Sequence, residues 1–187
     1  MYELRVVALK KFISEIKDWV ITIFITIILI FIIRTFVFSP VIVEGESMLP
    51  TLQDGDRLFI NKIGMYVGEL ERFDVIVFET KKDKYFIKRI IGMPGDELKY
   101  ENQQLYINGK PLDEPYIIPY PLQKDFTIKS LYGYEVIPEN HYFVLGDNRE
   151  NSNDSRKRFV GLIHEKQILG SANQVVWPVS SIKNVKE

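Results

Sequence analysis

The chain has 187 residues, a net charge of −1, two histidines (His141 and His164) and no cysteine. The near-zero charge offers no basic field for nucleic acid, and the missing cysteines remove disulfides, thiolate catalysis and zinc–sulfur sites together. No HExxH-like spacing exists, so neither a metal nor another cofactor is expected, and hydrolytic chemistry here has to work without metal and with little histidine.

The first 18 residues carry Arg5, Lys10, Lys11 and Lys17. Residues 19–33 then read WVITIFITIILIFII without a charge, and Phe36-Val37-Phe38 resumes the apolar run after Arg34. A helix over 19–38 rises roughly 30 Å, the thickness of a bilayer core. It is apolar on every face, which argues against a core helix with one buried stripe. Trp19 and Arg34 suit the two interfaces. The exit, FVFSPVIV, has no Ala-x-Ala-like site, so an uncleaved anchor is expected and not a removed leader. The basic leader places the N-terminus in the cytoplasm and residues 39–187 on the extracytoplasmic face of the cell membrane, with a single pass through the lipid bilayer.

From Ser39 onward the texture is that of a mostly-β domain. Strands are predicted at VIVE (41–44), RLFINKI (57–63), DVIVFE (74–79), KYFIKRII (84–91), QLYI (104–107), YEVIP (134–138), HYFVLG (141–146) and NQVVWP (173–178). Met93-Pro94-Gly95-Asp96 reads as a turn and Asn108-Gly109 as a hairpin. Residues 111–125, rich in proline and tyrosine, read as a loop, and one short helix is expected near Glu165–Leu169. The fold class is therefore coiled antiparallel sheets, partly barrel-like, behind one N-terminal transmembrane helix.

Within KYFIKRII, alternation puts Lys88 on one face with Phe86 and Ile90. If that face is buried, desolvation disfavours the charged amine and lowers its pKa, and a lysine becomes a general base. If it is solvated, Lys88 is an ordinary surface lysine, and periodicity alone does not choose. In GESMLPTL (45–52), Ser47 by itself is a turn residue; beside a buried lysine it becomes a candidate nucleophile. GDNRENSNDSR (146–156) follows an apolar strand. It fails as a calcium loop, because Arg149 takes a ligand position and the sixth place lacks glycine.

Together GESMLPTL, RFDVIVF (72–78), YFIKRIIGMPGD (85–96), YINGKPLDE (106–114) and GDNRENSNDSR resemble, in order and behind an anchor, the motifs of type I signal peptidases. These are membrane-bound serine proteases, hydrolases of peptidase family S26 that use a Ser–Lys dyad to remove signal peptides during protein secretion. The short form of Gram-positive bacteria is the most similar. RFDVIVF has Phe73 where the family often has glycine, on what is expected to be a structural strand.

The resemblance implies a role for each matching position. Ser47 is the nucleophile and Lys88 the general base. Ser152 hydrogen-bonds and orients the lysine amine, and Asp154 and Arg156 form a supporting ion pair. The backbone N–H of Ser47 serves the oxyanion hole. Gly45 stands where some relatives add a hydroxyl, so a second donor there comes from backbone or water. Val43 and Ile87 line shallow substrate pockets for small side chains at −1 and −3. Signal-peptide-bearing preproteins and the bilayer are the implied partners. Two other readings share features of the sequence: a non-catalytic membrane-tethered binding domain, and a self-cleaving Ser–Lys protease of related fold.

Overall fold

The computed structural model describes residues 2–32, 38–61, 70–80, 84–117, 124–172 and 174–185. The chain divides into two compact units, Met1–Phe38 and Ser39–Glu187.

The first unit is helix α1, Tyr2–Ile32, which reaches back through the basic leader. Its large apolar side chains from Trp19 to Ile32 are exposed on all sides. Among the described residues no helix is long and apolar enough to cross a membrane. The charge-free part within them, 19–32, rises only about 21 Å, while Glu15, Lys17 and Asp18 precede it and residues 33–37 of the expected 19–38 span, Arg34 included, lie outside the description.

The second unit is mostly antiparallel β, as expected. Its strands are β1 Phe38–Ile42, β2 Arg57–Asn61, β3 Val75–Glu79, β4 Tyr85–Gly92, β5 Leu98–Glu101, β6 Gln104–Ile107, β7 Lys110–Pro111, β8 Phe126–Thr127, β9 His141–Leu145, β10 Ile163–His164, β11 Ile168–Ser171, β12 Gln174–Trp177 and β13 Lys183–Asn184. A short helix α2 spans Ile128–Tyr132, closed by Gly133 at φ 82°. Among the described residues the larger sheet runs β10-β9-β4-β3-β11-β2-β12-β13, with β1 on β2, and the smaller runs β7-β6-β5-β8.

Several expectations are corrected. YEVIP is not a strand. Ile137 is instead plugged into the core, its carbonyl taken by Gly95 N–H and its N–H by Asp96 O. The helix near Glu165 is one 3-10 turn, Glu165–Gln167, before β11. Lys62, Ile63, residues 118–123 and Asn173 of the expected strands and loop lie outside the description. The Asn108-Gly109 hairpin forms, with φ 52° and 76°, the pair of positive angles that a two-residue hairpin turn needs.

Strand β3 anchors the strand that carries the site in the core. Val75, Ile76, Val77 and Phe78 are all buried, so both faces of the strand are covered. Val75 and Val77 join Met48, Leu52, Leu58, Ile60 and Val175 in one apolar cluster, while Ile76 and Phe78 join Ile90, Val144 and Ile163 in another. Each such fully buried side chain contributes roughly 1.5–3 kcal/mol. Strand β4 pairs along β3 with Lys88 opposite Ile76 and Phe86 opposite Phe78. A third cluster, around Leu98, Ile107 and Phe143, seats the smaller sheet.

Candidate active site

The segment before Ser47 is folded back on residues 54–56. Val43 N–H donates to Asp56 O (2.8 Å), Gly55 N–H to Val43 O (2.9 Å) and Gly45 N–H to Asp54 Oδ1 (2.7 Å). Met48 and Leu52, four residues apart, are driven into the core at 1% and 0% exposure. That anchoring explains the Ser-Met pair: methionine is the plug, and the serine beside it is held at the rim of a cleft. The cleft is lined by Val43, Gly45, Ser47, Ile87, Lys88 and Ser152, among others.

Strand β4 brings Lys88 to this rim. Its Nζ lies 2.7 Å from Ser47 Oγ, and it donates to the Ile87 carbonyl at 2.7 Å. Lys88 is only 4% exposed. Burial pushes its amine down from the ordinary 10.5 to about 8, against the opposing pull of Asp154 and then Asp147. The lysine face is thus the buried one, with the Phe86 ring 5.3 Å from the amine. A neutral amine held on a serine hydroxyl is a base next to a nucleophile.

The residues expected around the dyad are placed as follows. Asp154 and Arg156 are paired at 2.7 Å, and Asp154 Oδ2 also accepts from Gly146 N–H at 3.1 Å. Val43 and Ile87 both line the cleft and pack on the same core cluster. Ser152 lines the cleft, but its Oγ is buried without a hydrogen-bond partner among the described residues, so the expected bond to the lysine amine is not formed. Gly45 does not offer its N–H to the cleft, because the Asp54 carboxylate holds it. The N–H of Ser47 itself has no partner among the described residues.

A family model described as signal peptidase, peptidase S26, matches residues 16–177. This chain belongs to that family.

The chain is 41% identical over 177 residues to signal peptidase I P of Bacillus subtilis subsp. natto, covering 92% of this chain and 95% of the relative. It is 42% identical over 183 residues to signal peptidase IB of Staphylococcus aureus strain COL, covering 91% and 94%. The crystal structure of a signal peptidase I from Enterococcus faecalis V583 aligns with a TM-score of 0.50 at 34% identity, covering 56% of this chain and 97% of that one.

Sequence reasoning about this signal peptidase family member missed a set of buried polar residues behind the dyad. Arg89 is fully buried and donates to Asp147 twice, to Phe73 O (2.9 Å) and to Val185 O (3.0 Å), with its guanidinium 4.1 Å above the Tyr116 ring. Arg149 is bidentate on Glu114 at 3.0 and 2.5 Å and donates to Gly146 O. The signal was present in the sequence: arginines inside apolar strands and turns have to find carboxylates when buried. Which carboxylate each finds is a tertiary fact.

Proposed function

We propose that this chain is a membrane-anchored serine endopeptidase that cleaves signal peptides from exported preproteins with a Ser47–Lys88 dyad. The observation that carries the reading is the 2.7 Å approach of a buried lysine amine to a serine hydroxyl.

The chemistry follows from that approach. Ser47 Oγ attacks the scissile carbonyl carbon while its proton passes to Lys88 Nζ. The carbonyl oxygen becomes an oxyanion and takes the N–H of Ser47. As the tetrahedral species collapses, the Lys88 ammonium returns the proton to the departing amine, which leaves as the new N-terminus. Water then attacks the acyl-serine and gives a proton to Lys88, which passes it to the departing Ser47 Oγ as the signal peptide leaves with a new C-terminal carboxyl group. During these steps Lys88 is transiently charged, with three N–H donors. Ile87 O and Ser47 Oγ supply two acceptors, and we assign the third to the Ser152 hydroxyl. Asp154 and Arg156 hold the loop that carries Ser152. Val43 and Ile87 bound the shallow pockets for small residues at −1 and −3.

Residues 19–38 are assigned as the membrane span, with the leader cytoplasmic and residues 39–187 outside. The support is the apolar run, charge-free over 19–33, against four basic residues on its leading side. No metal takes part in the proposed steps.

The test is incubation of the purified full chain in detergent with a preprotein, beside Ser47→Ala and Lys88→Ala. The expected result is one cut after a small residue by the parent and none by either variant. Robust cutting by either variant overturns the dyad.

A further inference from the structure

The N–H of Ser47 can serve an oxyanion only if its peptide plane is fixed. That plane is shared with the Glu46 carbonyl, since C=O and N–H of one peptide unit point in opposite directions. Holding the Glu46 oxygen on one side therefore aims the Ser47 N–H to the other. Two donors do this: the Leu49 N–H, which closes the local turn on Glu46 O at 3.2 Å, and one side chain, Asn148 Nδ2, which reaches the same oxygen from the facing loop at 3.1 Å. The amide is itself oriented, because its Oδ1 accepts the Asn151 N–H at 3.2 Å. The two bonds demand opposite ends of the amide and so fix its assignment. The next peptide is held from the same residue, with Asn148 N–H donating to Ser47 O at 3.1 Å. Asn148 thus grips the carbonyls on both sides of the Ser47 Cα.

We infer that Asn148 is a positioning residue for the oxyanion hole: its side-chain amide locks the 46–47 peptide so that the Ser47 N–H faces the cleft. A donor on the Glu46 carbonyl also polarises that peptide and strengthens its N–H as a donor. The need for such a lock is greater here than where a side-chain hydroxyl assists. Position 45 is glycine, its φ is 85°, and its own N–H is spent on Asp54. The inference rests on the Ser47 mechanism proposed above.

The test compares Asn148→Asp and Asn148→Ala with the parent on one preprotein-derived peptide. Asn148→Asp keeps the Oδ1 acceptor and the backbone bond to Ser47 but sets a charged oxygen in place of the Nδ2 donor, so the loss has to appear in Asn148→Ala too, which removes the donor without adding charge. Removing an oxyanion donor itself costs about 10²–10³-fold in kcat, so loss of its support is expected to cost about 10–100-fold in kcat with KM little changed. A peptide aldehyde, which forms a tetrahedral adduct on Ser47, should lose affinity by the same factor. Binding of the uncut peptide, measured in the Ser47→Ala background with and without Asn148→Asp, should not change. If Asn148→Ala does not fold, Asn148→Leu, uncharged and of similar size, takes its place. Parental kcat in Asn148→Asp, a loss confined to KM, or an unchanged aldehyde affinity overturns the inference. An active Ser47→Ala overturns the dyad and the inference together, whereas an inactive Ser47→Ala with fully active Asn148 variants overturns the inference alone.

Discussion

Arg89 and Asp147 are joined by two hydrogen bonds, of 2.9 and 2.7 Å, with both side chains at 0% exposure. Arg89 is the neighbour of the lysine on β4, and Asp147 begins the loop that carries Asn148, Ser152 and Asp154. The pair therefore ties the strand of the base to the loop around it.

Removing one partner leaves a buried charge without a counter-charge, which typically costs about 3–5 kcal/mol. Asp147→Asn is expected to destabilise the domain by that order, read as a lower denaturant midpoint at unchanged slope. Replacing both residues by apolar ones of similar volume should recover much of the loss, because it removes the stranded charge. A midpoint for Asp147→Asn equal to the parent's would contradict this account.

The pH dependence follows from Lys88. Its pKa is lowered by burial to about 8, so the amine is charged and unable to accept a proton below that value. The rate is expected to rise about tenfold per pH unit up to roughly pH 8 and to level above it. Asp154 opposes the lowering by favouring the ammonium. Asp154→Asn should therefore move the rising limb to lower pH, whatever it does to the maximal rate. A limb that stays put, or one that follows substitution of His141 or His164, assigns the titration to another group.

Ser152 makes a sharper case. A buried hydroxyl without a partner is a cost to the fold, of about 1–3 kcal/mol for a fully desolvated group. Ser152→Ala removes that cost, so the melting temperature should hold or rise. The proposed role predicts that kcat falls in the same variant, because the charged amine loses its third acceptor. A lower melting temperature with an unchanged rate would reverse both expectations.

These cases also mark what was legible in the sequence. Local patterns carried most of the larger strands: β4 is nearly KYFIKRII, β6 is QLYI, and the Asn-Gly hairpin sits where its dipeptide puts it. Two-residue strands such as β7, β8, β10 and β13 escaped, because so short a segment has no period to read. YEVIP misled for the opposite reason. It alternates like a strand, but only Ile137 is buried, as a plug against Gly95 and Asp96. Phe73 was also misplaced: it sits in the turn before β3 at φ 75°, where glycine is favoured, and its ring packs edge-on against Tyr116 at 5.6 Å. Alternation could show that Lys88 shares a face with Phe86 and Ile90. It could not show that this face is buried, which depends on Ile76 across the ladder and on the 43–52 segment folding over it.

Gly146 gives the last prediction, and the reason is space and not backbone conformation. A Cβ at this position would collide with the Ser47 carbonyl oxygen and with both Cβ and Oγ of Ser152. The colliding oxygen is backbone, so it cannot swing aside as a flexible side chain would. It is also held by Asn148 N–H at 3.1 Å, and Gly146 N–H is held by Asp154. Gly146→Ala must therefore push the nucleophile segment and the 146–156 loop apart. Overpacking of this kind costs about 1–3 kcal/mol in stability. The larger effect is on geometry, since a displacement of about 1 Å at a nucleophile can cost about 100-fold in rate. The expected outcome is a folded protein with a modestly lowered melting temperature and about 100-fold lower kcat. Gly146→Ala combined with Ser152→Gly relieves only one of the two collisions, so it should recover stability in part and leave the rate low. Parental kcat in Gly146→Ala would show that the approach of the loop to Ser47 is not what sets the geometry of the dyad.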